Sequence, residues 1–241
     1  MMHLHFLHGF LGLPRDWGPL LFELKALFGS NPPQFHMHNL WNDLQTLPDP
    51  NLRNWGLRFA QKLPPAGNIL IGYSLGGRLA MHFPVWEQRK ISGIVLISAH
   101  PGLVGDGDKA LRLASDQKWA ARFRAGEWDP LVQEWNAQAV FAGDRIRPPR
   151  READFSRPGL AGALEYWSLG RQDDMMDRLR EFQCPIHYIH GAKDEKYSAV
   201  GQSLALKIAT IKVTTILGAG HSPHFSDPAA VALPIKSLIV S

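Results

Sequence analysis

Residues 68 to 77 read NILIGYSLGG, and this stretch restricts the fold more tightly than any other in the chain. A short apolar run bounded by turn formers reads as a strand covered on both faces, as in a parallel sheet. It passes directly into Gly72-Tyr73-Ser74-Leu75-Gly76, and a helical pattern follows through RLAM. Small residues beside Ser74 permit a sharp strand-to-helix turn that lifts its hydroxyl out at the carboxyl edge of the sheet. The first amides of the following helix have no partner inside it and suit a developing oxyanion. Ser74 therefore reads as a nucleophile. The competing reading is a plain N-cap serine in a glycine-rich turn.

The remainder of the chain supplies the sheet this turn needs. Strands are predicted at His3–Leu7, Gln34–His38, Asn68–Gly72, Ile91–Ser98, Ile186–His190 and Val213–Leu217. Helices are predicted at Trp17–Leu27 and Leu52–Lys62, and after Ser74, where Pro84 ends or kinks the last of them. Strands alternating with helices imply a mainly parallel sheet with helices on both faces. Between Gly102 and Arg171 the rhythm breaks, and KALRLASDQKWAARF and DPLVQEWNAQAVF have helical periodicity. This predicts an α/β core over residues 1–103 and 171–241, carrying an inserted helical cap over 104–170. A length of 241 residues suits that single large domain.

Charge and cysteine content narrow the function classes. The formal charge is +4 and the pI is near 9.3, but no long Lys/Arg block occurs, which favours a small anionic substrate over nucleic acid. Cys184 is the only cysteine, so an internal disulfide is impossible. No apolar run approaches the roughly 20 residues of a membrane helix, and MMHLHFLHGF lacks the basic leader of a signal peptide. The expectation is a cytoplasmic monomer or weak homo-oligomer without a metal or organic cofactor. His3, His5 and His8, with His36 and His38, read as packing histidines of the first two strands.

A serine hydroxyl needs a base, and the base needs an orienting carboxylate. At elbows of this type the chain order is Ser, acid, His. PIHYIHGAKDEKY puts Asp194 just past a late strand, with Glu195 as its neighbour and competitor. TTILGAGHSPHF puts His221 in a glycine-rich loop after the last strand, with His224 as the competitor. The offset from each strand end favours Asp194 and His221. After the first strand, His8-Gly9-Phe10-Leu11-Gly12 forms a glycine turn, so the amides of Phe10 and Leu75 are the expected oxyanion donors.

These residues together resemble the α/β-hydrolase superfamily across nearly the whole chain. GYSLGGRLAM, SAHPGL, Arg112 ahead of SDQKWAARF, EWNAQAVF, LEYWSLGRQDDMMDRL and GAKDEKY, in that order, are similar to one family within it. That family is the 2-succinyl-6-hydroxy-2,4-cyclohexadiene-1-carboxylate synthases of menaquinone biosynthesis. The resemblance implies a pyruvate-eliminating lyase in which Ser74, with His221 and Asp194, acts as base on a tricarboxylate. It implies Tyr73, Arg78, Arg112 and Trp135 as substrate-binding residues. A further cap arginine of the family has no clean counterpart: Arg147, Arg150 and Arg151 lie nearby, direct spacing falls on Glu152, and Arg151 is assigned here. The alternative on the same scaffold is a serine esterase or thioesterase for an acidic acyl substrate. Asn39-Leu40-Trp41-Asn42-Asp43 departs from the family's usual Asp-x-Pro-Gly-His-Gly turn, and the chain begins at the first central strand without the family's leading hairpin.

Overall fold

Six short apolar runs form strands in the computed structural model, which describes residues 1–144, 146 and 148–240, the side chain of Val240 aside. In chain order the elements begin with β1 (His3–Leu7), α1 (Gly18–Phe28), β2 (Gln34–His38), α2 (Leu40–Thr46), α3 (Leu52–Lys62), β3 (Asn68–Tyr73), α4 (Leu75–Met81) and β4 (Ile91–Ile97). Then come α5 (Asp106–Ala125), α6 (Trp128–Asn136), α7 (Arg157–Tyr166) and α8 (Met176–Glu181). The chain ends with β5 (Ile186–Gly191), α9 (Glu195–Lys207), β6 (Ile211–Ile216), α10 (Pro223–Ser226) and α11 (Pro228–Val240). The expected strands recur within two residues at each end. The predicted helix over 129–141 stops at Asn136 and resumes as a 3-10 turn at Ala139–Phe141.

The sheet runs β2-β1-β3-β4-β5-β6, with every pair parallel. This is the α/β-hydrolase fold with its inserted cap. Period-two alternation sorts the strand side chains between two cores even where the run is wholly apolar. Phe6, Ile71, Val95 and Ile189 face α1 and α11, and pack with Leu20, Leu24, Val231 and Ile235. Leu70, Leu96 and Tyr188 face the other side, with Trp55 and Phe59 of α3, Leu79 of α4 and Leu204 of α9. Strand order reverses between β1 and β3, and at such a switch point a crevice opens beyond the carboxyl ends of the strands. The loops after β1 and β3, carrying Phe10 and Ser74, meet there. Helices α5, α6 and α7 close over it.

Asn39-Leu40-Trp41-Asn42-Asp43 folds as the start of α2. The Asn39 side chain caps it by accepting from the Trp41 amide at 3.1 Å. Leu40 and Trp41 are buried, and the Trp41 indole donates to the Gly12 carbonyl at 2.9 Å, tying α2 to the loop after β1.

The histidines of β1 and β2 stack in a ladder at the edge of the sheet. Asn68 donates its amide to the carbonyls of Pro64 and Lys90, so its Oδ1 must accept from His5 Nε2, 2.9 Å away. His5 Nδ1 is then an acceptor for His38 Nε2 at 3.0 Å. Both rings are neutral in this arrangement, and protonating His5 at Nδ1 would set two donors face to face. Burial, reinforced by repulsion among the rings, lowers His5 to about 3 and His38 to about 4.

These shifts give stability a defined pH dependence. In the unfolded chain the same rings titrate near 6.5, so the unfolded state takes up protons first as pH falls. Stability is therefore complete above pH 6.5 and declines between about 6.5 and 4, by up to about 1.4 kcal/mol per pH unit for each ring. His8, His82 and His100, each lowered to about 4 by burial, add in the same direction. Thermal unfolding followed by circular dichroism is expected to show Tm falling by roughly 5 °C or more between pH 7 and 5. His38→Gln keeps a donor toward His5 without titrating and is expected to show a shallower fall; an equal slope would reject the ladder as a contributor.

Candidate active site

Glycine makes the turn at Ser74 possible. A Cβ on Gly76 would lie 2.0 Å from the Leu7 carbonyl oxygen, and one on Gly72 would lie 2.5 Å from the Gly76 carbonyl. Only bare backbone lets α4 start this close to β1 and β3. Ser74 itself adopts φ 50° and ψ −109°, a conformation that costs of order 1–3 kcal/mol for a residue with a side chain. Its hydroxyl is turned away from the helix it precedes, since it makes no capping bond.

The loops after β5 and β6 bring two further side chains to that hydroxyl. His221 Nε2 lies 3.2 Å from Ser74 Oγ, and His221 Nδ1 lies 2.7 Å from Asp194 Oδ2. Since the carboxylate only accepts, Nδ1 carries the proton and Nε2 is left to accept from the serine. Asp194 divides its oxygens: Oδ1 caps α9 by accepting from the Tyr197 amide at 3.2 Å, while Oδ2 orients the imidazole. Glu195 begins α9 and is exposed, away from the histidine. His224 is buried against the Tyr73 and Trp17 rings, at 4.4 and 4.9 Å between centroids. The rings of Tyr197, Phe141 and Tyr73 surround His221 at 4.5 to 5.5 Å and shield it from bulk water.

A cavity of about 420 Å³ opens over this triad, within the range of small-molecule sites. Phe10, Ser74 and Leu75 all line it. Trp135 of α6 lies over Phe10 with ring centroids 4.5 Å apart, and Trp119 and Phe123 of α5 continue that aromatic wall. Tyr73 also lines the cavity, but its hydroxyl is engaged by Ser222 Oγ at 2.7 Å.

Cations line the opposite side. Arg78, one turn after Ser74, is only 8% exposed. It donates to the Trp167 carbonyl at 2.8 Å and to Gln172 Oε1 at 3.2 Å, both neutral. Burial, with repulsion from Arg112, lowers it to about 10, so it remains charged at neutral pH. Arg112 of α5 lines the same wall and gives its Nε to both oxygens of Asp116, at 2.9 Å each. Asp116 also accepts from Ser168 Oγ at 2.7 Å. Lys196, one residue into α9, lines the cavity as well, and burial and Arg112 lower its pKa.

The cap arginine is corrected by one position. Arg151 has its side chain 75% exposed and paired with Asp154, so it does not reach the cavity. Arg150 lines it instead, forked onto Asp16 with both bonds at 2.8 Å. The extended backbone at Arg151 sends consecutive side chains to opposite sides, so a one-residue error reverses the direction. Arg147 lies outside the described residues. Sequence reading also missed Lys196, which sits two residues after Asp194 and so enters the cavity by the same helix start. Among the described residues no group of three or more His, Cys, Asp or Glu side chains is placed to hold a metal, and no helix is long and apolar enough to cross a membrane.

Known proteins carry the same architecture. Residues 6–232 match the alpha/beta hydrolase family. The 2-succinyl-6-hydroxy-2,4-cyclohexadiene-1-carboxylate synthase of Enterobacter sp. (strain 638) is 31% identical over 97% of this chain and 90% of its own. Its counterpart from Salmonella schwarzengrund is 33% identical over 97% and 92%. Among solved structures, MenH from S. aureus superimposes with a TM-score of 0.76 at 23% identity, covering 99% of this chain and 93% of that one. A carboxylesterase structure from Nitrososphaera gargenis reaches 0.72 at 14% identity over 99% and 90%; at these identities both structures bear on the fold alone.

The triad geometry generates its own test. A fluorophosphonate probe is expected to label Ser74 covalently, with the adduct located by peptide mass spectrometry. Asp194→Asn should slow labelling by roughly 10³–10⁴-fold, because it presents the wrong imidazole tautomer to the serine. Labelling of Ser74→Ala at another residue, or full-rate labelling of Asp194→Asn, would dismiss this triad.

Proposed function

The chain belongs to the alpha/beta hydrolase family as a close relative of the 2-succinyl-6-hydroxy-2,4-cyclohexadiene-1-carboxylate synthases, and on that premise we propose that it is a carbon–oxygen lyase. The proposed substrate is 2-succinyl-5-enolpyruvyl-6-hydroxy-3-cyclohexene-1-carboxylate. The products are pyruvate and 2-succinyl-6-hydroxy-2,4-cyclohexadiene-1-carboxylate.

The observation that carries this reading is Arg78. A buried guanidinium one turn from the nucleophile, hydrogen-bonded to neutral oxygens alone among the described residues, has no carboxylate in contact and only the more distant pull of Asp116 to offset its burial. A neutral ester has no use for it. A substrate carboxylate compensates it and gains a charge-assisted bond whose planar fork lysine could not reproduce. Arg112, with Nε held by Asp116, keeps its terminal nitrogens for a second carboxylate, and Lys196 supplies a third cation. Trp135 and Phe10 offer an apolar surface to the ring.

In the proposed reaction Asp194 holds the His221 tautomer, and His221 takes the Ser74 proton as Ser74 Oγ removes a proton from the substrate ring. The electron pair of that C–H bond moves into the conjugated ring system, and negative charge develops on the succinyl carbonyl oxygen. The amides of Phe10 and Leu75 stabilise that oxygen. The C–O bond to the enolpyruvyl group then breaks, the enolate of pyruvate departs with the bonding pair, and the proton held by His221 passes to it, giving pyruvate and restoring the neutral imidazole. Ser74 forms no covalent intermediate, which separates this chemistry from acyl transfer on the same triad.

The purified protein is expected to release pyruvate from the tricarboxylate while barely turning over p-nitrophenyl esters, with a lactate dehydrogenase couple reading the pyruvate. Arg78→Ala and Arg112→Ala should each lower turnover roughly tenfold to a hundredfold, as lost charge-assisted bonds are worth about 1.5–3 kcal/mol. Rapid ester cleavage without pyruvate would replace this reading by an esterase.

A further inference from the structure

The cap segment that follows Phe141 rests on the two loops that carry the catalytic acid and base. A Cβ on Gly143 would lie 2.9 Å from Lys193 Cβ and 3.1 Å from Gly220 Cα, and one on Gly220 would lie 2.4 Å from the Gly143 carbonyl carbon. Lys193 precedes Asp194 and Gly220 precedes His221, so this seat touches both triad loops at once. The next residue, Asp144, spends both carboxylate oxygens on the residue that follows the base. Oδ1 accepts from the Ser222 amide at 2.9 Å, and Oδ2 accepts from the Ser222 hydroxyl at 2.8 Å. With its proton given to Asp144, that hydroxyl accepts from the Tyr73 hydroxyl at 2.7 Å. Tyr73 directly precedes Ser74.

A hydrogen-bonded chain thus runs from the cap through Asp144, Ser222 and Tyr73, gripping the chain neighbours of both His221 and Ser74. Its anchor is a carboxylate with two donors aligned on it, the strong form of such a contact. The contact it sets, Ser74 Oγ to His221 Nε2, is 3.2 Å, near the long end of the hydrogen-bond range, where a small shift of the histidine loop breaks it.

We propose that Asp144 is a positioning residue that clamps the His221 loop through Ser222 and so keeps the base in reach of Ser74. This holds whichever substrate the site takes.

The test uses the full-length protein with Asp144→Ala, Asp144→Asn, Ser222→Ala and the double variant Asp144→Ala/Ser222→Ala. Fluorophosphonate labelling is measured against probe concentration, which separates the binding constant from the maximal labelling rate, and Tm is recorded for each variant. Asp144→Ala should lower the maximal rate tenfold to a hundredfold with the binding constant unchanged. Asp144→Asn, which keeps one acceptor, should recover part of that loss. Ser222→Ala should lose several-fold, and the double variant no more than Asp144→Ala alone, because the residues act in one chain. A crystal structure of Asp144→Asn, which needs no reactivity, should show His221 Nε2 withdrawn from Ser74 Oγ beyond hydrogen-bond distance. A wild-type maximal rate in Asp144→Ala or Asp144→Asn, a loss that only follows falling Tm, additive losses in the double variant, or an unmoved His221 would each overturn the proposal.

Discussion

Everything at the catalytic end of the sheet depends on the contact between Gly76 and the carbonyl of Leu7. Because α4 begins against β1 with no side chain between them, its first amides, the loop after β1 and the Ser74 hydroxyl converge on one point. A single methyl there would push the helix outward and draw those groups apart. The strained backbone at Ser74 persists because β3 below and α4 above are both buried and leave the turn no alternative path. The sheet thus serves as a jig, with the strain of the turn offset by the packing of Leu70, Leu79 and Leu96 beneath it.

The electrostatics of the cavity follow from what surrounds each cation. Arg150 is closed off by Asp16, and Arg112 is half-engaged by Asp116, whereas Arg78 touches only a carbonyl and an amide oxygen. The buried cation without a carboxylate in contact thus lies one turn from the serine. Lys196 stands between Arg112, which repels it, and Asp194, which attracts it.

The strands, the parallel topology, the cap and the convergence of Ser74, Asp194 and His221 were legible because each rests on a local rule. Buried strands announce themselves as apolar runs, and an elbow needs glycine at fixed offsets. What sequence reading missed was decided by tertiary direction. Arg150 and Arg151 differ only in which way an extended backbone points them. Helix α2, seven residues long, carries too few turns for a periodic signal, although its cap residue Asn39 stood in plain view. Lys196 was one unremarkable lysine until the start of α9 aimed it at Arg112. Asp144 is silent in sequence, because its partner lies in a loop on the far side of β5 and β6.

The insertion of the cap between β4 and β5 also leaves a mark on assembly. Of the five strand pairings, β4 with β5 joins the residues most distant in sequence, since all of α5 through α8 lies between Ile97 and Ile186. Contacts of long sequence separation form slowly, and the loop they close has the largest entropy to lose. The half-sheet β2-β1-β3-β4 contains Ser74 and the loops that carry Phe10 and Leu75, while Asp194 and His221 arrive only with β5 and β6. The turn at Ser74 thus rests on the nearer contacts, whereas its meeting with His221 and Asp194 rests on the most remote pairing of the sheet.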